Sequence, residues 1–322
     1  MFKKALIISA FGDIISLIND FLKGITYMAK YLIVNADDYG MCHAANQAVA
    51  ELFDGGWLKS ATVMMPCPTA KEAVDYSNAH PEHAIGVHLT MTSEWGKYRW
   101  KPLTNGKSLI DEEGFMWHES DQVEKNASYA DLEAEIRAQI DLAHSWGMKP
   151  SHTDNHMGSL YGHYTGRLGL AKMTLRVCGE YGYAYRLYTK HDKRICPNGT
   201  PYFLYAAITL LSKKWGKKYD VVIPDYLLFP DWNDDMRKSY ETYRETILKI
   251  WTDIPEDGVT ETFIHPSVEC DELKGITARW QDRVWEYELM KDPYTHKYLK
   301  DHGVELISYR ELIKMKGGKL KG

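Results

Sequence analysis

In the segment Tyr31-Leu-Ile-Val-Asn-Ala-Asp-Asp-Tyr-Gly40, an apolar run leads into two acidic residues. A short run of aliphatic side chains predicts a hydrophobic strand. The acidic pair, Asp37 and Asp38, follows this run almost directly. The pair also suits a turn, since Asp-Asp-Tyr-Gly is a good bend sequence. In β/α proteins, however, catalytic side chains lie at the carboxyl ends of strands, which favours a functional role.

Three further segments place histidine or aspartate where a predicted strand ends. They are His88 after Ala84-Ile-Gly-Val87, His152-Thr-Asp154-Asn-His156 after Pro150, and His265 after Thr262-Phe-Ile264. One carboxylate and two imidazoles can bind a divalent ion and leave positions open for water and substrate. A second carboxylate beside the first can accept a proton from that water. The pattern therefore predicts a metal-dependent hydrolase.

The spacing within the His152–His156 segment favours a strand that runs into a loop. Residues two apart on a strand share one face, and a carboxylate between two histidines, here Asp154, can orient an imidazole. A ligand pair four apart on a helix is the competing geometry, but Pro150 upstream and Gly158 downstream argue against it. By the same alternation, the adjacent Asp37 and Asp38 are expected to point different ways, one towards the ion and one towards its water.

Beyond Met28, short β-type runs alternate with helical patterns eight times. The predicted strands cover residues 31–35, 61–65, 84–89, 150–153, 184–188, 219–223, 261–264 and 304–307. Eight such pairs predict an α/β protein with a single TIM-like β/α barrel over residues 28–322, regular or distorted. Two long connections, residues 92–128 and 190–235, are expected to overhang the mouth at the carboxyl ends of the strands. Residues 1–27 form an N-terminal extension of unclear role, in which charged residues interrupt what resembles a signal-peptide core.

The composition excludes some classes of partner. The chain has 322 residues, of which 44% are hydrophobic and 26% charged, and its formal net charge is -5. This charge offers no general attraction for nucleic acid or for an anionic membrane, so a small neutral or cationic substrate fits better. The five cysteines are odd in number and form no CxxC motif, which favours reduced thiols and a cytoplasmic location over export. The sequence does not determine the oligomeric state, and it is compatible with a homo-oligomer.

Several residues near the mouth have two interpretations. The imidazole of His265 could donate a proton to a leaving group, or the residue could merely end a strand before Pro266. Asp271 and Arg279 could orient His265 or bind substrate, and are equally compatible with ordinary surface charges. Sugar rings could stack on tryptophans of the long connections, although each of these could also belong to the core: Trp95, Trp100, Trp117 and Trp232.

With these segments the chain resembles a known family, the YdjC-like carbohydrate deacetylases, which include the chitooligosaccharide deacetylases. The matching segments follow one another in order and cover nearly the whole chain beyond the N-terminal extension. They are Ile33-Val-Asn-Ala-Asp-Asp-Tyr-Gly40 with Asn46, Gly86-Val-His-Leu-Thr90, Pro150-Ser-His-Thr-Asp-Asn-His156, and Phe263-Ile-His-Pro266 with Asp271 and Arg279. Together these segments are specific, whereas any one of them would not be.

The resemblance implies roles for individual residues and one divalent ion, magnesium or zinc. Asp38, His88 and His156 would be the metal ligands, with Asp37 as general base and His265 as general acid. His152, Asp154, Asp271 and Arg279 would support these groups or contact substrate. The chain departs from the family where it continues with Met157-Gly-Ser-Leu-Tyr161 instead of further histidines, and in its long aromatic connection at residues 190–235. These departures leave the ligand set intact, but they leave open which sugar the protein binds.

The expected activity is hydrolysis of the N-acetyl group of an N-acetylated amino sugar or oligosaccharide, with release of acetate. One rival is a glycosidase that uses Asp37 and Asp154 as its two carboxylates. A second rival, from another class, is a carbohydrate-binding barrel without turnover. Dependence on a metal ion separates the deacetylase from a glycosidase that uses carboxylates alone.

Overall fold

The computed structural model describes residues 29–197, 199–229 and 232–318. The predicted N-terminal extension, residues 1–27, lies outside the described residues. In the described part of the chain, no helix combines the length and the apolar character that crossing a membrane would require.

The centre of the molecule is a curled parallel β-sheet. Its strands are β1 (Lys30–Tyr39), β2 (Ser60–Val63), β3 (Ala84–Leu89), β4 (His152–Asn155), β5 (Ala184–Tyr185), β6 (Tyr226–Leu227), β7 (Val259–Ile264) and β8 (Val304–Leu306). They lie in the order β5-β4-β3-β2-β1-β7-β6, and β8 pairs with the first residues of β1. Every strand pair is parallel, so the carboxyl ends of the strands meet at one edge of the sheet.

The sheet does not close into a regular barrel. Among the described residues, β5 and β6 are not paired as strands, although the backbone N–H of Tyr185 donates to the carbonyl of Val222 across the gap at 3.0 Å. The predicted fold class, an α/β protein with a TIM-like parallel sheet, is therefore confirmed. The sheet is not a closed barrel, however. The predicted strand at residues 219–223 is wrong. Tyr219 ends a helix there, because Asp220 adopts a left-handed conformation with φ of 56°.

Helices lie along the outside of the sheet. In the described residues they are α1 (His43–Asp54), α2 (Ala70–Ala79), α3 (Ser120–Asn126), α4 (Tyr129–Ser145), α5 (Gly169–Tyr181), α6 (Tyr202–Tyr219), α7 (Tyr240–Thr252), α8 (Asp271–Ile276), α9 (Trp280–Lys291), α10 (Pro293–Asp301) and α11 (Tyr309–Met315). In α4 the side chains of Leu132, Ile136 and Ile140 form the buried stripe. The hydroxyl of Ser128 accepts the backbone N–H of Asp131 and so begins this helix. The short helices α3, α8 and α10 were not predicted.

The end of β1 is irregular at the acidic pair. Asp38 has φ of 60°, and the register with β2 shifts between Ala36 and Tyr39. This break ends the strict alternation of an extended strand at the acidic pair, and Asp37 and Asp38 are both buried, like the preceding residues of β1. The expectation that one side chain points towards the ion and the other towards its water stays a prediction. Gly40, with φ of 87°, completes the turn, and a Cβ there would lie 2.9 Å from the Cα of Ala70.

Candidate metal centre

A cavity of about 870 Å³ lies at the carboxyl ends of the strands. Its walls include Asp37 and Asp38 from β1, His88 from β3, His156 just after β4, and His265 just after β7. Because the sheet is parallel, residues far apart in sequence converge at this edge.

Three of these side chains direct ligand atoms at one point. The Oδ1 of Asp38 lies 3.5 Å from the Nε2 of His88 and 3.2 Å from the Nδ1 of His156. All three residues are buried, and their ligand atoms lie within 4.8 Å of one another. Among the described residues, Asp38 Oδ1 has no hydrogen-bond partner. A buried carboxylate oxygen without a partner is costly, and a cation at this point would satisfy it.

The ring of His88 is held in one orientation by its second nitrogen. Its Nδ1 lies 2.7 Å from Oδ1 of Asp154, the residue opposite His88 in the pairing of β3 with β4. A carboxylate can only accept, so a proton of the ring sits on Nδ1, and Nε2 is directed at Asp38. The hydroxyl of Thr62 donates to the other oxygen of Asp154 at 2.8 Å.

His156 and Asp38 are held in the same way. The Nε2 of His156 lies 3.0 Å from Oε2 of Glu94, which leaves Nδ1 facing Asp38. The guanidinium of Arg283 donates to Oδ2 of Asp38 at 2.7 Å. Burial would raise the pKa of Asp38, but the charges of Arg283 and His156 hold it well below its usual value. Each candidate ligand thus has a fixed partner that turns its free atom to the same point.

Asp37 has a different partner from its neighbour. Both of its oxygens accept from Arg186, at 2.7 and 2.6 Å. Burial would raise the pKa of Asp37, but the charge of Arg186 and its hydrogen bonds lower it to about 2. Asp37 is therefore ionised at neutral pH, next to the candidate ion site. Its Oδ2 lies 3.9 Å from Nε2 of His88.

Arg186 connects three carboxylates below the cavity. Besides Asp37, it contacts Oδ2 of Asp154 at 2.9 Å and Oε1 of Glu261 at 2.7 Å. Burial raises the pKa of Glu261 to about 7, an effect that Arg186 partly offsets. Tyr309 donates its hydroxyl to the same carboxyl group.

His265 lines the cavity without joining the three candidate ligands. Its side chain remains 29% exposed, and its Nδ1 lies 3.7 Å from Oε2 of Glu286. The backbone N–H of His265 donates to the same oxygen at 2.7 Å. Burial would lower the pKa of this imidazole, but Glu286 and Asp38 raise it. The side chain of His265 lines the cavity.

Other predicted residues lie elsewhere. His152 is buried under the site, stacks on Tyr309 with 3.7 Å between ring centroids, and lies 3.1 Å from Oδ1 of Asn35. Asp271 and Arg279 are exposed and do not line the cavity. The four tryptophans singled out in the sequence are also absent from its walls, whereas Trp215 of α6 is present.

Sequence reasoning missed Arg186, Glu94, Arg283 and Glu261. Arg186 lies within the predicted fifth strand and Glu261 within the seventh, so a charged residue inside an otherwise apolar strand was a usable signal. Glu94 lies in the connection after β3, and Arg283 lies on α9 among other charged residues. Neither had a sequence signal that distinguished it from a surface residue.

The residues present fit a divalent ion at Asp38, His88 and His156. A second buried set, Asp37, His88 and Asp154, also has ligand atoms within 4.8 Å of one another. In that set, however, the guanidinium of Arg186 already neutralises both carboxylates. The unpartnered oxygen of Asp38 therefore marks the better site.

The fold and the site define an α/β protein with a curled parallel sheet and a candidate metal centre at the strand ends. A family model described as "YdjC-like protein" matches residues 31–301, and the chain belongs to this family. The resemblance inferred from the sequence is thereby confirmed.

Relatives of known name extend along most of the chain. A carbohydrate deacetylase of Geobacillus stearothermophilus is 26% identical over 288 residues, which cover 89% of this chain and 100% of the relative. A carbohydrate deacetylase of Enterococcus faecalis is 28% identical over 287 residues, covering 88% of this chain and 98% of the relative. The crystal structure of an Enterococcus faecalis protein, for which cleavage of cellobiose phosphate has been suggested, has a TM-score of 0.67 and 26% identity, and covers 88% of this chain and 99% of its own.

Proposed function

We propose that this protein is a metal-dependent deacetylase that removes the acetyl group from an N-acetylated amino sugar. The observation that carries the proposal is the unpartnered oxygen of Asp38, which lies with two imidazole nitrogens at the wall of a large cavity. Relatives that are named carbohydrate deacetylases over their full length support the choice of substrate class.

Asp38, His88 and His156 would hold the ion. Two imidazoles and one carboxylate suit zinc or a similar transition metal better than magnesium, which prefers oxygen ligands. When bound, such an ion polarises the amide carbonyl and lowers the pKa of a water molecule beside it.

The residues of the chain supply the proton transfers. Asp37 accepts a proton from the water whose oxygen attacks the acetyl carbon, and Arg186 keeps the carboxylate in place. The bond between carbon and nitrogen then breaks, and His265 donates a proton to the leaving nitrogen. The products are acetate and a free amine. The Nη1 of Arg283, a residue of the cavity wall, is buried and has no hydrogen-bond partner among the described residues.

The geometry disfavours the glycosidase alternative. Oδ1 of Asp37 and Oδ2 of Asp154 contact the same nitrogen of Arg186, at 2.6 and 2.9 Å. No sugar fits between carboxylates that share one guanidinium nitrogen, and Asp154 is fully buried and does not line the cavity. Two glycosidase carboxylates must instead flank the scissile bond.

A screen for acetate release tests the proposal. The purified protein is stripped with a chelator and assayed on N-acetylated mono- and oligosaccharides, alone and with Zn, Mn, Co or Mg. Release of acetate that is lost on stripping and restored by one of the ions is the expected result. Hydrolysis of a glycosidic bond that survives stripping would favour the glycosidase instead. If no substrate in the panel yields acetate with any ion, the proposed activity is wrong.

A further inference from the structure

One half of the cavity is apolar. Four side chains of α6 line it at a spacing that places them on one stripe of the helix: Leu204, Ile208, Leu211 and Trp215. Leu168 and Ala171, at the beginning of α5, line the same cavity. We call the four side chains of α6 the apolar wall.

The apolar wall is not the most deeply buried face of α6. The buried residues of this helix are Tyr205, Thr209, Ser212 and Gly216, on the neighbouring face. Ile208 and Trp215 pack against the hydrophobic core in part, and like Leu211 they remain half-buried where they line the cavity. Apolar side chains that a fold leaves uncovered within a cavity mark a surface that gains by binding an apolar group.

Phe263 makes the apolar half continuous with the candidate metal centre. Its ring lies 5.7 Å from the ring of His265 and 5.1 Å from the guanidinium carbon of Arg186. On the other side it meets Phe229, with 6.0 Å between centroids in an edge-to-face arrangement. Phe229 also lines the cavity. A ligand can therefore reach from the reacting groups to the apolar wall without leaving the cavity.

The cavity is larger than one sugar requires. An N-acetylhexosamine has about fifteen non-hydrogen atoms, and even at the ~30 Å³ of a water molecule for each it fills about 450 Å³, whereas the cavity measures about 870 Å³. Leu204 lines the cavity and is itself 43% exposed, so the apolar wall reaches the solvent. A group longer than the cavity can extend outwards there.

The four side chains of the apolar wall offer a second sugar ring only the indole N–H of Trp215 as a polar partner. The hydroxyls of such a ring would need polar partners, and burying them without partners is costly. The hydroxyl of Ser212, which lines this region, already donates to the carbonyl of Ile208 at 2.9 Å. The apolar wall matches an alkyl or aryl group instead.

We propose that the substrate of this protein is an amphiphile, an N-acylated amino sugar with an alkyl or aryl group that packs against the apolar wall. This inference rests on the proposed deacetylase function and specifies its substrate class. The apolar group can belong to the aglycone or to a longer N-acyl chain, and both present the same chemistry to Ile208, Leu211 and Trp215.

The first experiment measures how chain length affects hydrolysis by the metal-loaded protein. One series carries methyl, butyl and octyl aglycones on N-acetylglucosamine, and the other carries acetyl, butanoyl and octanoyl groups on the nitrogen. Release of the free amine is the readout for both. In one series kcat/KM should rise by roughly fourfold for each methylene that becomes buried. The series that rises identifies where the apolar group lies.

The second experiment changes the wall. In the variant Ile208→Ser/Leu211→Ser, the ratio of kcat/KM between octyl and methyl substrates should fall towards one. Leu210→Ser is the matched control, since Leu210 lies on the same helix, is 67% exposed and does not line the cavity. It should retain the wild-type ratio. If both wild-type series are flat, or if the wall variant and the control behave alike, the inference is overturned.

A binding measurement separates this inference from the proposed function. Calorimetry with methyl, butyl and octyl glycosides of N-acetylglucosamine reports affinity without turnover. Affinity that increases with chain length in the wild type and not in the wall variant supports the apolar site even if no amine is released, in which case only the deacetylase proposal fails. The opposite outcome is release of acetate from short substrates with no effect of chain length on hydrolysis or on binding. That outcome supports the deacetylase function and overturns the proposal of an amphiphilic substrate.

Discussion

The two adjacent aspartates acquire separate roles from separate arginines. Arg186 binds both oxygens of Asp37, whereas Arg283 binds one oxygen of Asp38 and leaves the other facing His88 and His156. Asp38 has a left-handed backbone, and both carboxylates are buried. Aspartate tolerates this conformation better than most residues do.

Replacing Asp37 tests its role as proton acceptor. Asp37→Asn keeps the shape of the side chain but cannot take a proton from water, so kcat should fall by about 10²–10⁴-fold. The metal content, measured by elemental analysis, should not change, since Asp37 is outside the ligand set. Asp301→Asn, at the exposed end of α10, is a control that should retain full activity. A kcat close to wild type in Asp37→Asn would assign the proton transfer to another group in the cavity.

His265 is expected to matter only when the leaving group needs a proton. His265→Ala should reduce kcat/KM strongly for an N-acetyl amide and weakly for an activated aryl acetate, whose leaving group departs without protonation. The two substrates are compared in the same preparation of the variant. Equal losses on both would mean that the residue only shapes the loop after β7.

At the scale of elements, Arg186 joins three strands beneath the cavity. Its guanidinium contacts carboxylates of β1, β4 and β7, all of which are buried. The cation thus compensates several charges that the interior could not otherwise hold. The same contacts fix Asp37 relative to the other strand ends, so folding energy and catalytic geometry depend on one side chain.

Removing the positive charge of Arg186 should strongly destabilise the protein. Arg186→Met retains much of the apolar stem but leaves three buried carboxyl groups without their partner, and we expect the free energy of unfolding to fall by about 3–5 kcal/mol. Denaturation in urea measures the change. Arg137→Met is the matched control, because Arg137 pairs with Glu133 and Glu180 at the surface and should cost no more than about 1 kcal/mol. Equal losses in the two variants would contradict the structural role assigned to Arg186.

Glu261 should make stability depend on pH. Its pKa in the folded protein is raised to about 7, so the folded state holds a proton that the unfolded state loses at lower pH. The stabilisation is fully present below the unfolded pKa of about 4.3 and is lost as pH rises to about 7, with a slope of about 1.4 kcal/mol per pH unit. Glu261→Gln carries no titrating group. The difference in unfolding free energy between wild type and variant should therefore decline between pH 5 and 7, and a constant difference would refute the raised pKa.

The sequence predicted the candidate metal ligands better than it predicted the buried charged residues that hold the site in place. Residues at strand ends such as His88 and His156 were identifiable because parallel strands bring their carboxyl ends together whatever the details of packing. Arg186 and Glu261 carried a signal as charged residues within predicted strands, but their partners depend on which strands face each other across the interior, which the sequence pattern does not give. The sixth strand was predicted at residues 219–223, whereas it lies at Tyr226–Leu227. The β-branched run after Asp220 directly follows the end of a helix and forms no strand.

At the scale of the whole molecule, the candidate ligands come from three different parts of the sheet. Asp38 lies on β1, His88 on β3 and His156 immediately after β4, while β2 lies between β1 and β3 in the sheet. An ion at this point would link segments more than a hundred residues apart. Because the sheet is not closed by strand pairing between β5 and β6, such a link should contribute to the stability of the entire fold.

Ion binding should therefore raise the melting temperature of the stripped protein. A ligand that binds only the folded state stabilises it by about 2.7 kcal/mol at a concentration about 100 times its Kd. In His156→Ala one ligand is missing, so the same ion concentration should give a smaller rise. His302→Ala is the control, since His302 is exposed, stacks on Tyr298 and lies outside the ligand set, and it should show the full rise. Thermal unfolding of all three proteins with and without zinc measures the effect. An equal rise in His156→Ala and wild type would show that the ion binds elsewhere, for example at the surface group His80, Glu82 and His83, whose ligand atoms also lie within 4.8 Å of one another.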